Sequence, residues 1–170
     1  MAYEDFTDSP TWTEVDPEGE LTVDANEVAI SAGDLDDTHF LYKDGGANHY
    51  TNSLEHQFEL TSTAISGWEY LWCLNDDPTY PLESKGLFMG IDEDTGSEDF
   101  EISISTTDWD ESDKVTDLSF NIKYYVTIKR DGPTVTLTIR TGSHTGSIVG
   151  TAEVEDDETS YRYLVICGEG

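Results

Sequence analysis

Apolar and polar residues alternate with a period of two along nearly the whole chain, and few architectures tolerate that pattern. Phe58 and Leu60 alternate with Gln57, Glu59 and Thr61, and Phe100, Ile102 and Ile104 alternate with Glu101, Ser103 and Ser105. Val135, Leu137 and Ile139 alternate with Thr134, Thr136, Thr138 and Arg140. Successive side chains of a strand point to opposite faces, so each run predicts a half-buried antiparallel strand with one face on a core and one in water. Further strands are predicted at about 20–23, 27–31, 39–43, 67–74, 86–91, 124–130, 148–154 and 161–167. Turn residues recur roughly every ten positions, the rhythm of a sandwich or barrel. Asp131-Gly132 is the clearest hairpin signal, and Asp24-Ala25-Asn26 marks an earlier one. No window carries the apolar stripe of a capped helix. The segment 107–117, TDWDESDKVTD, comes nearest and is read as an acidic loop with a short turn. The expectation is one all-β domain over residues 1–170.

Charge narrows the function classes. Against 37 Asp and Glu stand only 8 Lys and Arg, a formal net charge of -29. Neutralising phosphates needs clustered Lys and Arg, so a nucleic-acid partner is excluded. An anionic membrane surface wants a polybasic patch, and no run approaches the ~18 apolar residues of a membrane span. Membrane insertion is therefore not expected. Aromatic residues at 11% supply large buried areas, so the chain is read as folded despite its charge. The acidity itself has three readings: a halophilic or marine surface, calcium binding through a few carboxylates, or a basic partner. The N-terminal run MAYEDFTDSPTW lacks a basic region and an apolar stretch, so no signal peptide is visible. The chain is cytoplasmic as made, processed beforehand, or exported by assembly into a larger body such as a virion.

Cys73 and Cys167 lie in strand-like runs with no zinc spacing. They are read as two buried thiols, with a disulfide between neighbouring strands left open. The four histidines show no HxH or HExxH spacing, and no GxSxG nucleophile elbow is present.

The opening run Tyr3-Glu4-Asp5-Phe6-Thr7-Asp8, followed by Trp12-Thr13-Glu14-Val15 and Gly19-Glu20-Leu21-Thr22-Val23, resembles the first strands of concanavalin A-like (laminin G-like) jelly-roll domains. The similarity continues in Phe40 to Asp44, in Tyr124 to Arg130 with its Asp131-Gly132 turn, and in Tyr161 to Ile166. The resemblance implies an antiparallel β-sandwich. Such domains serve as lectins, carbohydrate-binding modules, glycosidases, lyases and surface proteins of phages and viruses, so it leaves function open.

Glycosidases of this type carry three carboxylates at alternate positions of one strand. Retaining chemistry needs two of them only ~5–5.5 Å apart. Here Asp99 and Glu101 share a face, but Ser103 follows where a third would stand, so no catalytic residue is assigned. Two acidic loops are rich in the hard oxygen donors that calcium takes. One contains Asp92 and Asp94, and the other Asp108, Asp110 and Asp113; neither is an EF-hand. A weaker third candidate holds Asp34, Asp36 and Asp37. For ligand contact, Trp68, Tyr70 and Trp72 alternate on one side of a strand. They form either a stacking ladder for sugar rings or part of the core. Trp109 stands in an acidic loop as a credible exposed contact.

The expected function is a non-catalytic recognition or adhesion module binding glycan or another surface polymer, on a cell exterior or a virion. The alternative is a structural protein that forms a homo-oligomer in a shell, decoration or filament. A glycosidase or lyase is the third reading.

Overall fold

The computed structural model describes residues 11–16, 19, 21–25, 27–30, 39–65, 68–77, 86–93, 99–106 and 111–168. Among them run β1 (Thr13–Val15), β2 (Leu21–Asp24), β3 (Glu27–Ile30), β4 (His39–Asp44), β5 (Tyr50–Thr51), β6 (Ser53–Leu60), β7 (Glu69–Asn75) and β8 (Gly86–Glu93). They continue with β9 (Asp99–Thr106), β10 (Ser112–Ser119), β11 (Tyr124–Asp131), β12 (Thr134–Thr141), β13 (Ser147–Glu155), β14 (Ser160–Tyr161) and β15 (Tyr163–Gly168). No helix occurs among the described residues. A seven-stranded sheet in the order β1-β4-β15-β7-β8-β9-β10 faces a four-stranded sheet, β13-β12-β11-β6, and every pairing is antiparallel.

The alternating residues build the core between these sheets. Phe100, Ile102 and Ile104 of β9 meet Val126 and Ile128 of β11 and Val135, Leu137 and Ile139 of β12, all without solvent exposure. Trp72 and Leu74 of β7 and Leu87, Met89 and Ile91 of β8 extend the same cluster. Burial at about 25 cal/mol per Å² of apolar surface makes this layer the main stabilising contribution. The β2–β3 hairpin closes a smaller cluster of Trp12, Leu21 and Leu41. Below it, Asp16 accepts from the backbone N–H groups of Gly19 and Leu21 at 3.0 Å and meets His39 Nδ1 at 2.7 Å, in a fully buried ion-pair geometry.

The hairpin signals hold, with the β11–β12 turn displaced by one residue. The partners Asp131 and Thr134 leave Gly132 and Pro133 as the central pair, and Gly132 has φ +67°. Only a residue without Cβ takes that conformation cheaply. β10 corrects the loop reading of 107–117 from residue 112 onward: Ser112–Ser119 is a strand on the sheet edge, while 107–110 lie outside the described residues. Its core residues Val115 and Leu118 are three apart because a bulge lies between them, with Asp117 at φ +62°. One inserted residue breaks the two-residue period that would have announced the strand.

Two further contacts fix the sandwich. At its edge, Asp113 of β10 reaches the other sheet, where its Oδ2 accepts from the Glu153 N–H at 2.9 Å. Nearby Gly150 lies so close to Val115 that a Cβ there would sit 2.5 Å from a methyl carbon. At the end of β11, the fully buried Arg130 pairs with the Asp156 carboxylate at 3.0 Å and donates to the carbonyl oxygens of Gly132, Asp156 and Glu158. The Tyr161 hydroxyl donates to the same carboxylate. Burial pushes both the Asp156 and the Tyr161 pKa up.

Candidate functional site

The seven-stranded sheet has a second, outward face, and its residues follow from register. Gly90 of β8 lies opposite Tyr70 of β7 on one side and Ser103 of β9 on the other, and Ser103 lies opposite Lys114 of β10. One step along, Asp92 lies opposite Glu101. Side chains directly opposite in an antiparallel pair have Cβ atoms about 4.5–5.5 Å apart, so two carboxylates from neighbouring strands stand side by side. The expectation that this face of β9 lies in water is corrected. Glu101 is 7% exposed, Ser103 2% and Ser105 1%. A buried polar stripe is informative where a buried apolar one is not.

Aromatic rings border that stripe. Trp68 and Tyr70 meet edge to face with centroids 5.8 Å apart, and Tyr70 meets Phe88 at 5.7 Å. Gly90 makes room for them: a Cβ there would lie 2.8 Å from the Trp68 ring. Tyr42 of β4 and Tyr163 of β15 continue the aromatic surface, 5.9 Å apart. Both were legible as alternating aromatics in HFLYKD and YRYLV, but nothing in one sequence says that β4 and β15 are neighbours. Lys114 Nζ holds Glu101 Oε2 at 2.7 Å, while the lysine remains half exposed. The Ser103 hydroxyl is buried and has no hydrogen-bond partner among the described residues.

The ladder Trp68-Tyr70-Trp72 is corrected. The β7–β8 register shifts between Tyr70 and Trp72, so Leu71 is an extra residue and the two aromatics fall on opposite faces. Trp72 enters the core at 2% exposure and donates from Nε1 to His56 Nδ1 of the facing sheet at 3.1 Å. Trp68 and Tyr70 stay on the outward side.

The two acidic loops are separate metal candidates, and of their five candidate carboxylates Asp92 and Asp113 are described. Asp92 shares the outward face with Glu101, whereas Asp113 lies opposite the core residue Ile104 and holds the backbone of Lys114 and Glu153. Among the described residues, no three His, Cys, Asp or Glu side chains are grouped to hold a metal. Asp94, Asp108, Asp110 and Trp109 lie outside the described residues, as do Asp34, Asp36 and Asp37. Cys73 is buried opposite Val165, two residues before Cys167.

No protein-family model matches the chain, and no curated protein matches it in sequence. Solved structures do match in shape. The exoplasmic/lumenal domain of VIP36, in a Ca²⁺/Man2-bound form, is 12% identical over 95% of this chain and 75% of its own, with a TM-score of 0.64. A legume lectin-like domain from Entamoeba histolytica is 16% identical over 94% and 82%, with a TM-score of 0.63. The Bacillus licheniformis β-glucanase is 12% identical over 99% and 86%, with a TM-score of 0.61. The chain is thus an all-β antiparallel sandwich of the concanavalin A-like jelly-roll type. Its neighbours in shape include both lectins and a glycan-cleaving enzyme.

Proposed function

We infer that the chain is a non-catalytic glycan-recognition module working on a cell exterior or a virion surface. Its site is the outward face of the seven-stranded sheet. The observation that carries this reading is the Trp68–Tyr70 pair set over Gly90 beside a buried, unsatisfied Ser103 hydroxyl. Flat rings stack on sugar faces, and a polar group without a partner is costly until a ligand satisfies it. Glu101 and Asp92 lie opposite each other on neighbouring strands, but the Lys114 ammonium occupies Glu101 Oε2, which leaves that oxygen no role as a proton donor. The lectin neighbours support a glycan ligand, and the lumenal domain among them supports a place outside the cytosol.

The test is isothermal titration against a polysaccharide panel with Trp68→Ala and Tyr70→Ala. Both variants should weaken binding at least about tenfold while remaining folded. Parental binding retained in both would move the site elsewhere. Absence of binding to any polymer would favour the structural role, for which Ile148 and Val149, exposed on β13, offer an apolar contact. Release of reducing ends from any panel member would overturn the non-catalytic reading.

A further inference from the structure

The outward face carries information about the charge of its ligand. Two carboxylates, Asp92 and Glu101, stand side by side there, and the one ammonium among the described facing residues, Lys114, is held by Glu101. Asp99, two residues before Glu101 on β9, continues the acidic row and accepts from the Ser119 hydroxyl at 3.1 Å. Beyond the site the whole chain carries -29, so the field at its surface repels anions at any distance that salt does not screen. The hydrogen-bonding inventory has the same bias. Carboxylate oxygens only accept, and the buried Ser103 hydroxyl accepts as readily as it donates. A ligand rich in donors is matched; a carboxylate or sulfate ester is not. Trp68 and Tyr70 complete the arrangement, since aromatic faces attract cations.

We propose that the glycan bound at this site carries free primary amines, so that a protonated amino sugar places its ammonium between Asp92, Ser103 and the Trp68–Tyr70 rings. The proposal rests on the glycan-recognition reading and adds the chemical class of the ligand. An uncharged sugar would meet the same rings but place no cation against Asp92, whose Oδ1 accepts from the Glu93 N–H at 2.8 Å. A uronic-acid polymer would meet repulsion from both carboxylates.

The experiment compares three oligosaccharides of equal length and linkage, built from glucose, N-acetylglucosamine and glucosamine, titrated at about pH 6 and at physiological ionic strength. Glucosamine oligomers are expected to bind about tenfold more tightly than the other two, equivalent to about 1.4 kcal/mol. Asp92→Asn should remove that preference, and Ser103→Ala should reduce it. Glu55→Gln, an exposed acid on the other sheet, should leave it intact. Equal affinity for all three oligomers would overturn the proposal while leaving glycan recognition standing. A preference lost equally in Asp92→Asn and Glu55→Gln would also overturn it, because the general field would then be the cause. Failure of all three to bind, alongside a silent polysaccharide panel, would remove both readings.

Discussion

Replacing Trp72 with alanine tests whether the bulge at Leu71 sorts the aromatic residues of β7 between core and ligand face. Trp72 is 2% exposed, packs in the cluster shared by both sheets, and donates to His56 across the sandwich. Removing a buried Trp side chain costs about 3–5 kcal/mol. For a chain of this length each kcal/mol lowers Tm by roughly 2–4 °C, so Trp72→Ala should melt about 6–20 °C below the parent. Tyr70 lies only two positions away but on the outward face, partly exposed, where its loss removes ring contacts with Trp68 and Phe88. Those contacts contribute about 0.5–1.5 kcal/mol each, so the expected fall is about 2–12 °C. The assay pairs thermal melts by circular dichroism with glycan titration on each variant. Trp72→Ala should lose stability and keep its affinity at temperatures where it is folded, and Tyr70→Ala should lose affinity with the smaller fall in Tm. A Trp72→Ala protein that melts within about 2 °C of the parent and loses binding would refute the reasoning, since it would put Trp72 on the ligand face.

Two further outcomes follow from the ion pairs. Arg130→Met should destabilise by about 3–5 kcal/mol in urea denaturation because it strands the buried Asp156 carboxylate, and Arg130→Met with Asp156→Leu should recover part of that loss. Arg162 grips Asp44 through two hydrogen bonds, at 2.9 and 2.6 Å, and holds its pKa down at about 2 against an ordinary value of 3.8. A depressed carboxylate stabilises the fold above its unfolded value and loses that contribution as pH falls through the folded one. Carboxyl NMR should therefore place the Asp44 midpoint near 2, and Arg162→Gln should return it toward 3.8.

The strands and the core were legible where alternation ran unbroken. β9 and β12 were readable residue by residue, and Phe100, Ile102, Ile104, Val135, Leu137 and Ile139 are buried as the pattern requires. Legibility failed at the bulges of β10 and β7. In β10 the insertion turned a strand into an apparent loop, and in β7 it sent Trp72 to the face opposite Tyr70. Neither insertion is marked by a glycine, so no residue type announces it. The site failed to show for a related reason. Asp92 and Glu101 are neighbours only because β8 and β9 pair in one register, and register depends on the segment that joins them. The burial of Glu101, Ser103 and Ser105 was also invisible, since a polar residue in an alternating strand is by default a solvent-facing one.

The contact between Asp113 and the Glu153 backbone bears on what the chain does when crowded. β13 is the last strand of its sheet, and such a strand offers open N–H and C=O groups on which another chain can grow a fibril. Asp113 reaches that strand from β10 and takes up the Glu153 N–H with a negative charge. An incoming strand at that point would have to displace a carboxylate and then lie beside it. Gly150 against Val115 holds the neighbouring stretch too near the other sheet for a straight ladder to continue past it. The apolar Ile148 and Val149 sit on this same strand, where an unguarded edge would be most adhesive. A single carboxylate thus closes one point of an otherwise open border to the backbone of an incoming strand.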